Sequence, residues 1–143
     1  MEKVDITIIG AGVLGLAIAY ELSRHGKKNI VVVEKNVRYG SETSSRNSEV
    51  IHTGIYYPPE SLKAQLCVNG NKLLYEICKK NDIPHRKIGK LIVALDEKEF
   101  EDIHKLKQNG QKNGVEGLEI IGRKKLEELE PNVGGLTPGG GRG

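Results

Sequence analysis

The amino-acid sequence predicts an α/β fold that begins with a strand–turn–helix–strand unit. Residues 6–9 and 30–33 are short β-branched runs without polar alternation, which is typical of parallel strands buried on both faces. A glycine-rich turn follows the first run, and residues 13–25 after it have the apolar content of a helix, with Gly26 placed to end it. Glu34 then closes the second run. Together these three observations indicate a nucleotide-binding type of α/β unit.

Length, composition and charge narrow the class of protein further. The chain has 143 residues, of which 37% are hydrophobic and 29% charged, which is typical of a folded domain rather than a disordered chain. The net charge is only +3 and the basic residues are dispersed, so we expect no nucleic-acid partner. The apolar runs are shorter than the roughly 18 residues that span a membrane, and no residue spacing indicates a metal site.

The two cysteines bear on the compartment of the protein. Cys67 and Cys78 lie on one predicted helix, roughly 16 Å apart along its axis, whereas a disulfide needs Cα atoms within about 7 Å. Unpaired thiols fit a reducing compartment, and the first residues show no signal-peptide pattern. We therefore expect a cytoplasmic protein, with peripheral contact to the inner membrane through an electron acceptor as an open alternative.

The rest of the chain alternates loops with further elements. Residues 37–54 are polar and lack a period, which indicates a loop. Ser61 is the predicted N-cap of a helix over residues 62–80. Asp96 and Glu99 resemble a capping box for a helix that ends near the turn signal Asn109-Gly110. The remaining predictions are strands at 89–95 and 118–121, a helix at 123–130, and a disordered glycine-rich tail at 134–143.

The glycine turn has the spacing Gly10-x-Gly12-x-x-Gly15. In this fingerprint the first glycine allows a tight turn, the second lets a pyrophosphate approach the backbone, and the third lets the helix pack closely on the strand. The helix N-terminus would face the phosphates, and the Glu34 carboxylate would accept hydrogen bonds from a ribose diol, which disfavours NADP. The sequence therefore predicts dinucleotide binding; the alternative is that the glycines serve only helix–strand packing.

The loop after the second strand bears on which dinucleotide binds. Residues 41–48 offer several hydroxyls, one amide and one guanidinium, a set that could surround the phosphates and ribityl chain of a flavin nucleotide. A polar surface loop has the same composition, so on the residues alone both readings stay open.

Four stretches resemble a known family. They are GAGVLGLAIAYELS, VVVEK, TSSRNSEVIHTGIYYPPESLKAQLCVNGNKLLYE and GKLIVALDE. All are similar to the FAD-dependent amino-acid and hydroxy-acid oxidoreductases of the D-amino-acid-oxidase-like superfamily, in particular the branch that acts on L-2-hydroxyglutarate. The third stretch is much more specific than the glycine fingerprint. The resemblance runs from about residue 4 to residue 133.

The resemblance implies a fold, a cofactor and a reaction. The fold would be a Rossmann-like FAD-binding βαβ unit followed by the start of an α+β substrate domain, truncated relative to the family, with residues 1–85 in the FAD-binding portion and residues 86–133 in the substrate domain. The cofactor would be FAD. The small-molecule substrate would be an L-2-hydroxy acid, and the implied reaction is oxidation of L-2-hydroxyglutarate to 2-oxoglutarate by hydride transfer to the flavin.

The resemblance also implies roles for individual residues. Ten are implied to bind the cofactor: Gly10, Gly12, Gly15 and Glu34 at the adenosine half, and Lys35, Thr43, Ser44, Arg46, Asn47 and Ser48 along the pyrophosphate and the flavin. His52 falls near the flavin ring and is the candidate catalytic residue. A hydrogen-bonded position in the wall of the site and a covalent link to the flavin are the alternatives for this histidine.

Two departures from the family pattern leave other hypotheses open. Glu49 stands where the family usually has glycine, and a carboxylate beside a flavin and an anionic substrate is costly unless it turns away. The chain is also much shorter than family members. A non-catalytic dinucleotide-binding module and a fragment that is inactive by itself are therefore the alternatives, since a doubly wound sheet needs more than two strands.

Overall fold

A computed structural model describes residues 3–26 and 29–133. The chain divides into two compact units, Met1–Val50 and Ile51–Gly143, and the predicted tail at 134–143 lies outside the described residues. Two parallel strands and four α-helices form the regular structure of the described part, which confirms the predicted α/β class. Within that part, no helix combines the length and the apolar character needed to cross a membrane.

The first unit is built on strands β1 (Ile6–Ile9) and β2 (Ile30–Val33), joined by helix α1 (Val13–Arg24). The strands pair in parallel, with Ile6 opposite Ile30 and Ile9 opposite Val33. Their β-branched side chains suit a pleated surface, and the predicted strand bounds are confirmed. The helix ends one residue before the predicted position.

Close packing of α1 on the sheet depends on Gly15. A Cβ atom at this position would collide with the carbonyl oxygen of Gly10 and would lie 3.4 Å from Cγ2 of Ile8. Gly10 itself has a φ of +100°, a backbone conformation that side chains rarely adopt. The two glycines therefore allow the chain to leave β1 and turn directly into a helix that lies against the same strand.

The sheet of the first unit is covered on one face. Helix α1 packs on both strands, and Ile8 and Val32 are half-buried. On the other face, Ile9 is 89% exposed and Val33 48% exposed. The prediction of strands buried on both faces is therefore wrong for the described residues, because a parallel sheet needs a layer on each face and α1 supplies one layer.

The second unit contains α2 (Leu62–Lys80), whose predicted bounds are confirmed. The Ser61 hydroxyl caps the helix by accepting a hydrogen bond from the Ala64 N–H at 3.2 Å. The predicted apolar side is largely uncovered: Leu62 is 69% exposed and Leu66 62% exposed. Burial on this helix is confined to Ala64 and Cys78 among the described residues.

Helix α3 (Glu97–Lys112) is longer than predicted. Asn109-Gly110 was expected to end the helix, but both residues lie within it. Gly110 is buried, and a Cβ atom there would lie 2.5 Å from Leu118 Cδ1 and 2.9 Å from Ile55 Cγ1. The glycine is therefore required by close packing rather than by a turn. The last helix, α4 (Arg123–Leu129), buries Leu126 and lies close to its predicted position.

The predicted strands at 89–95 and 118–121 are wrong for the described residues. A strand is defined by a hydrogen-bonded neighbour, and no backbone–backbone hydrogen bond joins residues 84–94 to the rest of the described chain. Ala94 is nevertheless only 2% exposed, so part of this segment packs inside the unit. The composition of these segments favours strands. They do not form strands here because the described chain provides no neighbouring strand to pair with them.

The start of α3 generates a prediction about stability. The Asp96 carboxylate accepts the Glu99 N–H at 2.8 Å, which confirms the predicted cap. The Glu99 carboxylate accepts the N–H of Leu95 at 2.7 Å, one residue before the position that a capping box requires. Asp96→Ala should lower the free energy of unfolding by about 1 kcal/mol because it removes the cap. Urea-induced unfolding is the measurement.

Asp102→Ala is the control for this prediction, because Asp102 lies on the same helix and makes an exposed ion pair with Lys105. Surface ion pairs contribute little, so the control should have a smaller effect. Equal losses in the two variants would contradict a capping role for Asp96.

Candidate cofactor-binding site

The Glu34 carboxylate joins the end of β2 to the glycine turn. Its Oε2 atom accepts the Ala11 N–H at 2.8 Å, and its Oε1 atom accepts the backbone N–H of Asn36 at 2.9 Å and the Asn36 side-chain amide at 3.0 Å. The backbone N–H of Asn36, followed by that of Ala11, holds the pKa of Glu34 below its usual 4.5. The Oε2 atom accepts a single hydrogen bond within the described residues, which leaves it capacity for a further donor such as a ribose hydroxyl.

The N-terminus of α1 is open to an anion. Gly12 occupies the N-cap position and has no side chain to cap the helix, and the first turn contains no acidic residue. The Val13 N–H donates to the Ser44 hydroxyl at 2.9 Å, and the Leu16 N–H donates to the Gly12 carbonyl at 3.0 Å. The intervening N–H groups have no acceptor within the described residues. These donors and the helix dipole fit a pyrophosphate.

A short 3-10 turn, Thr43–Ser45, brings the polar loop to this helix end. Within this turn the Ser45 N–H donates to the Glu42 carbonyl at 3.0 Å. The Gly40 N–H donates to the Ala11 carbonyl at 2.9 Å, which joins the loop to the glycine turn. A Cβ atom on Gly12 would lie 3.2 Å from the Ser44 hydroxyl oxygen. The glycine turn, the end of β2 and the loop therefore meet at one place.

An open pocket of about 550 Å³ lies beside this meeting point. The five residues that line it all have polar side chains: Asn36, Ser41, Glu42, Thr43 and Arg46. Lys35 forms an ion pair of 2.8 Å with Glu42, and this contact raises the pKa of Lys35 and lowers that of Glu42. One predicted cation is therefore paired with a carboxylate, while the Arg46 side chain lines the open space.

The other predicted residues have different positions. The Asn47 amide donates to the Ser44 carbonyl at 2.9 Å, and its oxygen accepts the Glu49 N–H at 2.8 Å, so Asn47 shapes the loop backbone. Ser48 is exposed and makes no side-chain hydrogen bond within the part of the chain that the structure describes. His52 belongs to the second unit, where its ring is exposed and its carbonyl accepts the Asn71 amide at 3.0 Å.

Sequence analysis missed two residues of this cluster, Asn36 and Glu42. Asn36 binds both the Glu34 and the Glu42 carboxylates through its side-chain amide. The available signal was its position two residues after the acid, because ligand-binding groups in open α/β sheets collect just beyond the carboxyl ends of strands. Glu42 had no comparable signal within the polar loop.

The backbone at Glu49 adopts a conformation that favours glycine. Its φ is +55°, in the left-handed region, and its side chain is exposed. A side chain in this region costs about 1–3 kcal/mol, whereas glycine enters it freely. The departure from the family pattern at this position therefore affects the backbone as well as the local charge.

Acidification should weaken the first unit through Glu34. Because the pKa of the folded state is lowered, the stabilisation by this carboxylate is present above pH 4.5 and is lost as the pH falls below that value. Glu34→Gln should remove this component, so its stability should fall less steeply with acid than that of the unmodified protein. Urea-induced unfolding at neutral pH and below pH 4.5 measures the difference.

Glu21→Gln is the matched control, because Glu21 lies exposed on α1 and pairs with Arg24. It should keep the acid-dependent loss that Glu34 causes. The same pH profile for Glu34→Gln and the unmodified protein would show that the hydrogen bonds to Glu34 do not stabilise the folded state.

Glu49→Gly should raise the free energy of unfolding by about 1 kcal/mol, because glycine adopts the left-handed backbone conformation without the steric cost of a side chain. Chemical unfolding is the measurement. Glu76→Gly, within α2, is the control and should lower stability by about 1 kcal/mol, since glycine is a poor helix former. A loss of stability in both variants would contradict backbone strain at Glu49.

Curated relatives resemble nearly the whole chain. The chain is 48% identical over 132 residues to the mitochondrial L-2-hydroxyglutarate dehydrogenase of Arabidopsis thaliana, a match that covers 92% of this chain and 27% of that protein. It is 45% identical to the proteins of the same name from Nematostella vectensis and Homo sapiens, covering 94% and 92% of this chain. The chain thus spans less than a third of the length of the relatives it matches.

The names of these relatives contradict the expected cytoplasmic location, since all three are called mitochondrial. The expectation was based on unpaired thiols and on first residues that lack the pattern of a secretory signal peptide. Cys67 and Cys78 are indeed free. Free thiols indicate reducing conditions and do not distinguish one reducing compartment from another, so they could not support that assignment.

A match over almost the full length of the chain identifies its family. The family described as FAD dependent oxidoreductase (DAO) matches residues 5–142. This range includes the glycine turn, Glu34, the polar loop and the whole of the described second unit. The chain is therefore a member of the DAO family of FAD-dependent oxidoreductases.

Proposed function

We propose that the chain is the N-terminal part of an FAD-dependent oxidoreductase and that its first unit holds the cofactor in a Rossmann-like manner. The observation that carries the proposal is the Glu34 carboxylate, which binds the Ala11 N–H at 2.8 Å and keeps a lone pair for a ribose hydroxyl. The open end of α1 lies at the same turn and suits the pyrophosphate. Gly10, Gly12 and Gly15 allow this approach.

The polar loop favours FAD over a nicotinamide cofactor in this proposal. Ser44 holds the first N–H of α1, while Thr43 and Arg46 line the open pocket. Arg46 would supply positive charge to the phosphates. Lys35 would supply less, because its charge is paired with the Glu42 carboxylate. Asn47 would keep the loop in shape, and Ser48 would contact the cofactor through its exposed hydroxyl. The family membership of the chain supports the same cofactor.

The proposed reaction is oxidation of an L-2-hydroxy acid, with L-2-hydroxyglutarate converted to 2-oxoglutarate. The names of the relatives support this substrate. When bound, FAD supplies the acceptor for the hydride that leaves the substrate's C2 atom, and the hydroxyl proton passes to a base. His52 is the candidate base, because its ring is exposed while its backbone carbonyl is fixed by Asn71.

We further propose that residues 1–85 belong to the FAD-binding portion and residues 86–133 begin a substrate domain. Two observations support a sheet completed by further polypeptide. Residues 84–94 lack backbone partners within the described chain, and the relatives are more than three times as long as the matched region. The rest of such a protein would supply the strands that pair with these extended segments.

A fragment that is inactive by itself is the second candidate. The uncovered sheet face at Ile9 and the uncovered side of α2 at Leu62 and Leu66 favour it, since monomeric proteins rarely expose large apolar patches. Under this alternative, the residues of the first unit bind FAD only when the remaining polypeptide covers these faces.

The complete protein should purify with a flavin absorbance spectrum, and anaerobic L-2-hydroxyglutarate should bleach it as the bound cofactor is reduced. Glu34→Ala should lower the affinity for FAD about tenfold or more, because it removes a charged acceptor from the ribose. Titration of the apoprotein with FAD measures this change. Glu21→Ala, an exposed site on α1, is the control and should keep the affinity.

The outcomes separate the hypotheses. A flavin spectrum that L-2-hydroxyglutarate does not bleach would exclude the proposed substrate. A folded, colourless protein that binds NAD would support a non-catalytic dinucleotide module instead. A complete protein that binds FAD, alongside a 143-residue chain that does not, would identify the chain as an inactive fragment.

A further inference from the structure

Three asparagine side chains hold residues 52–57 by their backbone carbonyl groups. Asn113 Nδ2 donates to the carbonyl oxygens of Gly54 at 3.0 Å and Tyr57 at 2.8 Å. Asn109 Nδ2 donates to those of Ile55 at 2.7 Å and Tyr57 at 2.9 Å, and Asn71 Nδ2 donates to that of His52 at 3.0 Å. Most carbonyl groups of this irregular segment are therefore satisfied by side chains from α2 and α3.

The sequence of α3 is adapted to this contact at the expense of helix propensity. Asn109 and Asn113 lie four positions apart, so both amides are on one face of the chain as it leaves the helix. Gly110, between them, brings Ile55 against the helix backbone. Asparagine and glycine are poor helix formers, so the presence of Asn109 and Gly110 in the last turn of α3 needs a gain elsewhere. The four hydrogen bonds from Asn109 and Asn113 and the packing of Ile55 supply that gain.

The orientation of the Asn113 amide supports the same view. Its Oδ1 atom is buried without a hydrogen-bond partner among the described residues. An unsatisfied buried acceptor is costly, and the opposite orientation would place this oxygen against two carbonyl groups. The unsatisfied Oδ1 atom of Asn113 is therefore offset by the two hydrogen bonds that its Nδ2 atom donates to Gly54 and Tyr57.

Fixing this segment through its backbone leaves its side chains available. The His52 ring and Tyr56 are exposed. The Lys90 ammonium group lies 3.3 Å from the Tyr56 hydroxyl, and that of Lys63 lies 4.4 Å from the centre of the Tyr57 ring. One hydrogen-bonded segment and its neighbours thus present a histidine, two tyrosines and two lysines. This set has the charge and the donors to meet an anionic carboxylate substrate.

We propose that Asn109 and Asn113, together called the asparagine clamp, are positioning residues that set the conformation of residues 52–57. Through this segment they orient His52 and Tyr56 toward the hydroxy-acid substrate. The second statement depends on the proposed function, whereas the first depends only on the contacts within the second unit. Asn71 assists at the His52 end of the segment.

The test uses Asn113→Asp in the complete protein, because aspartate keeps the size of the side chain and replaces the donor with a second acceptor. Amide hydrogen exchange of residues 52–57, followed by mass spectrometry, should become faster, by up to about tenfold at the Tyr57 N–H that donates to the Gly54 carbonyl, since the loss of two hydrogen bonds loosens the segment. The kcat/KM for L-2-hydroxyglutarate should fall about tenfold, while the flavin spectrum and the FAD affinity stay unchanged. Asn71→Ala, at a half-buried site, should give a smaller change in the same direction, since it removes one hydrogen bond.

Asn81→Ala is the matched control, because the Asn81 amide bonds only the Ile77 carbonyl at the end of α2. It should alter neither the exchange of residues 52–57 nor kcat/KM. Unchanged exchange in both Asn113→Asp and Asn71→Ala would overturn the clamp. Faster exchange with unchanged kcat/KM would overturn the positioning role. An unmodified protein that does not oxidise L-2-hydroxyglutarate would overturn that role together with the proposed function, while the exchange result would still decide the clamp.

Discussion

The hydrogen bond from the Ala11 N–H to the Glu34 carboxylate is the contact on which the first unit depends. It ties the turn that follows β1 to the residue that ends β2, so the two strand ends and the start of α1 share one fixed position. The Asn36 N–H groups hold the same carboxylate from the other side. A single ionised group therefore orients the backbone donors of the turn before any ligand is present.

Most of the first unit could be predicted from the sequence because its signals are local. The β-branched runs, the glycine spacing and the acid all lie within about thirty residues of one βαβ unit. Gly15 acts on an atom close to it along the chain, the carbonyl oxygen of Gly10, whereas the close approach of Ser44 to Gly12 is a distant contact. Where the prediction failed, at the second face of the sheet, the missing information was the identity of a covering layer, which no local pattern contains.

The second unit was harder to predict because its contacts are distant in sequence. Residues 89–95 have the composition of a strand, but pairing depends on another segment. Asn109-Gly110 has the composition of a turn, yet it lies in a helix because Ile55, more than fifty residues earlier, packs against Gly110. An isolated glycine inside a helical pattern often has a packing role. Applied to Gly110, this rule would have predicted that the helix continues past it.

Both units use the same physical solution for their irregular segments. In the first unit, Ser44 and Glu34 satisfy backbone N–H groups of the turn, and in the second, asparagine amides satisfy backbone carbonyl groups of residues 52–57. Loops lack the internal hydrogen bonds of helices and strands, so a loop with a defined shape needs such partners from side chains. Polar residues that look like unstructured surface in the sequence therefore determine the geometry of the segments that carry the proposed chemistry.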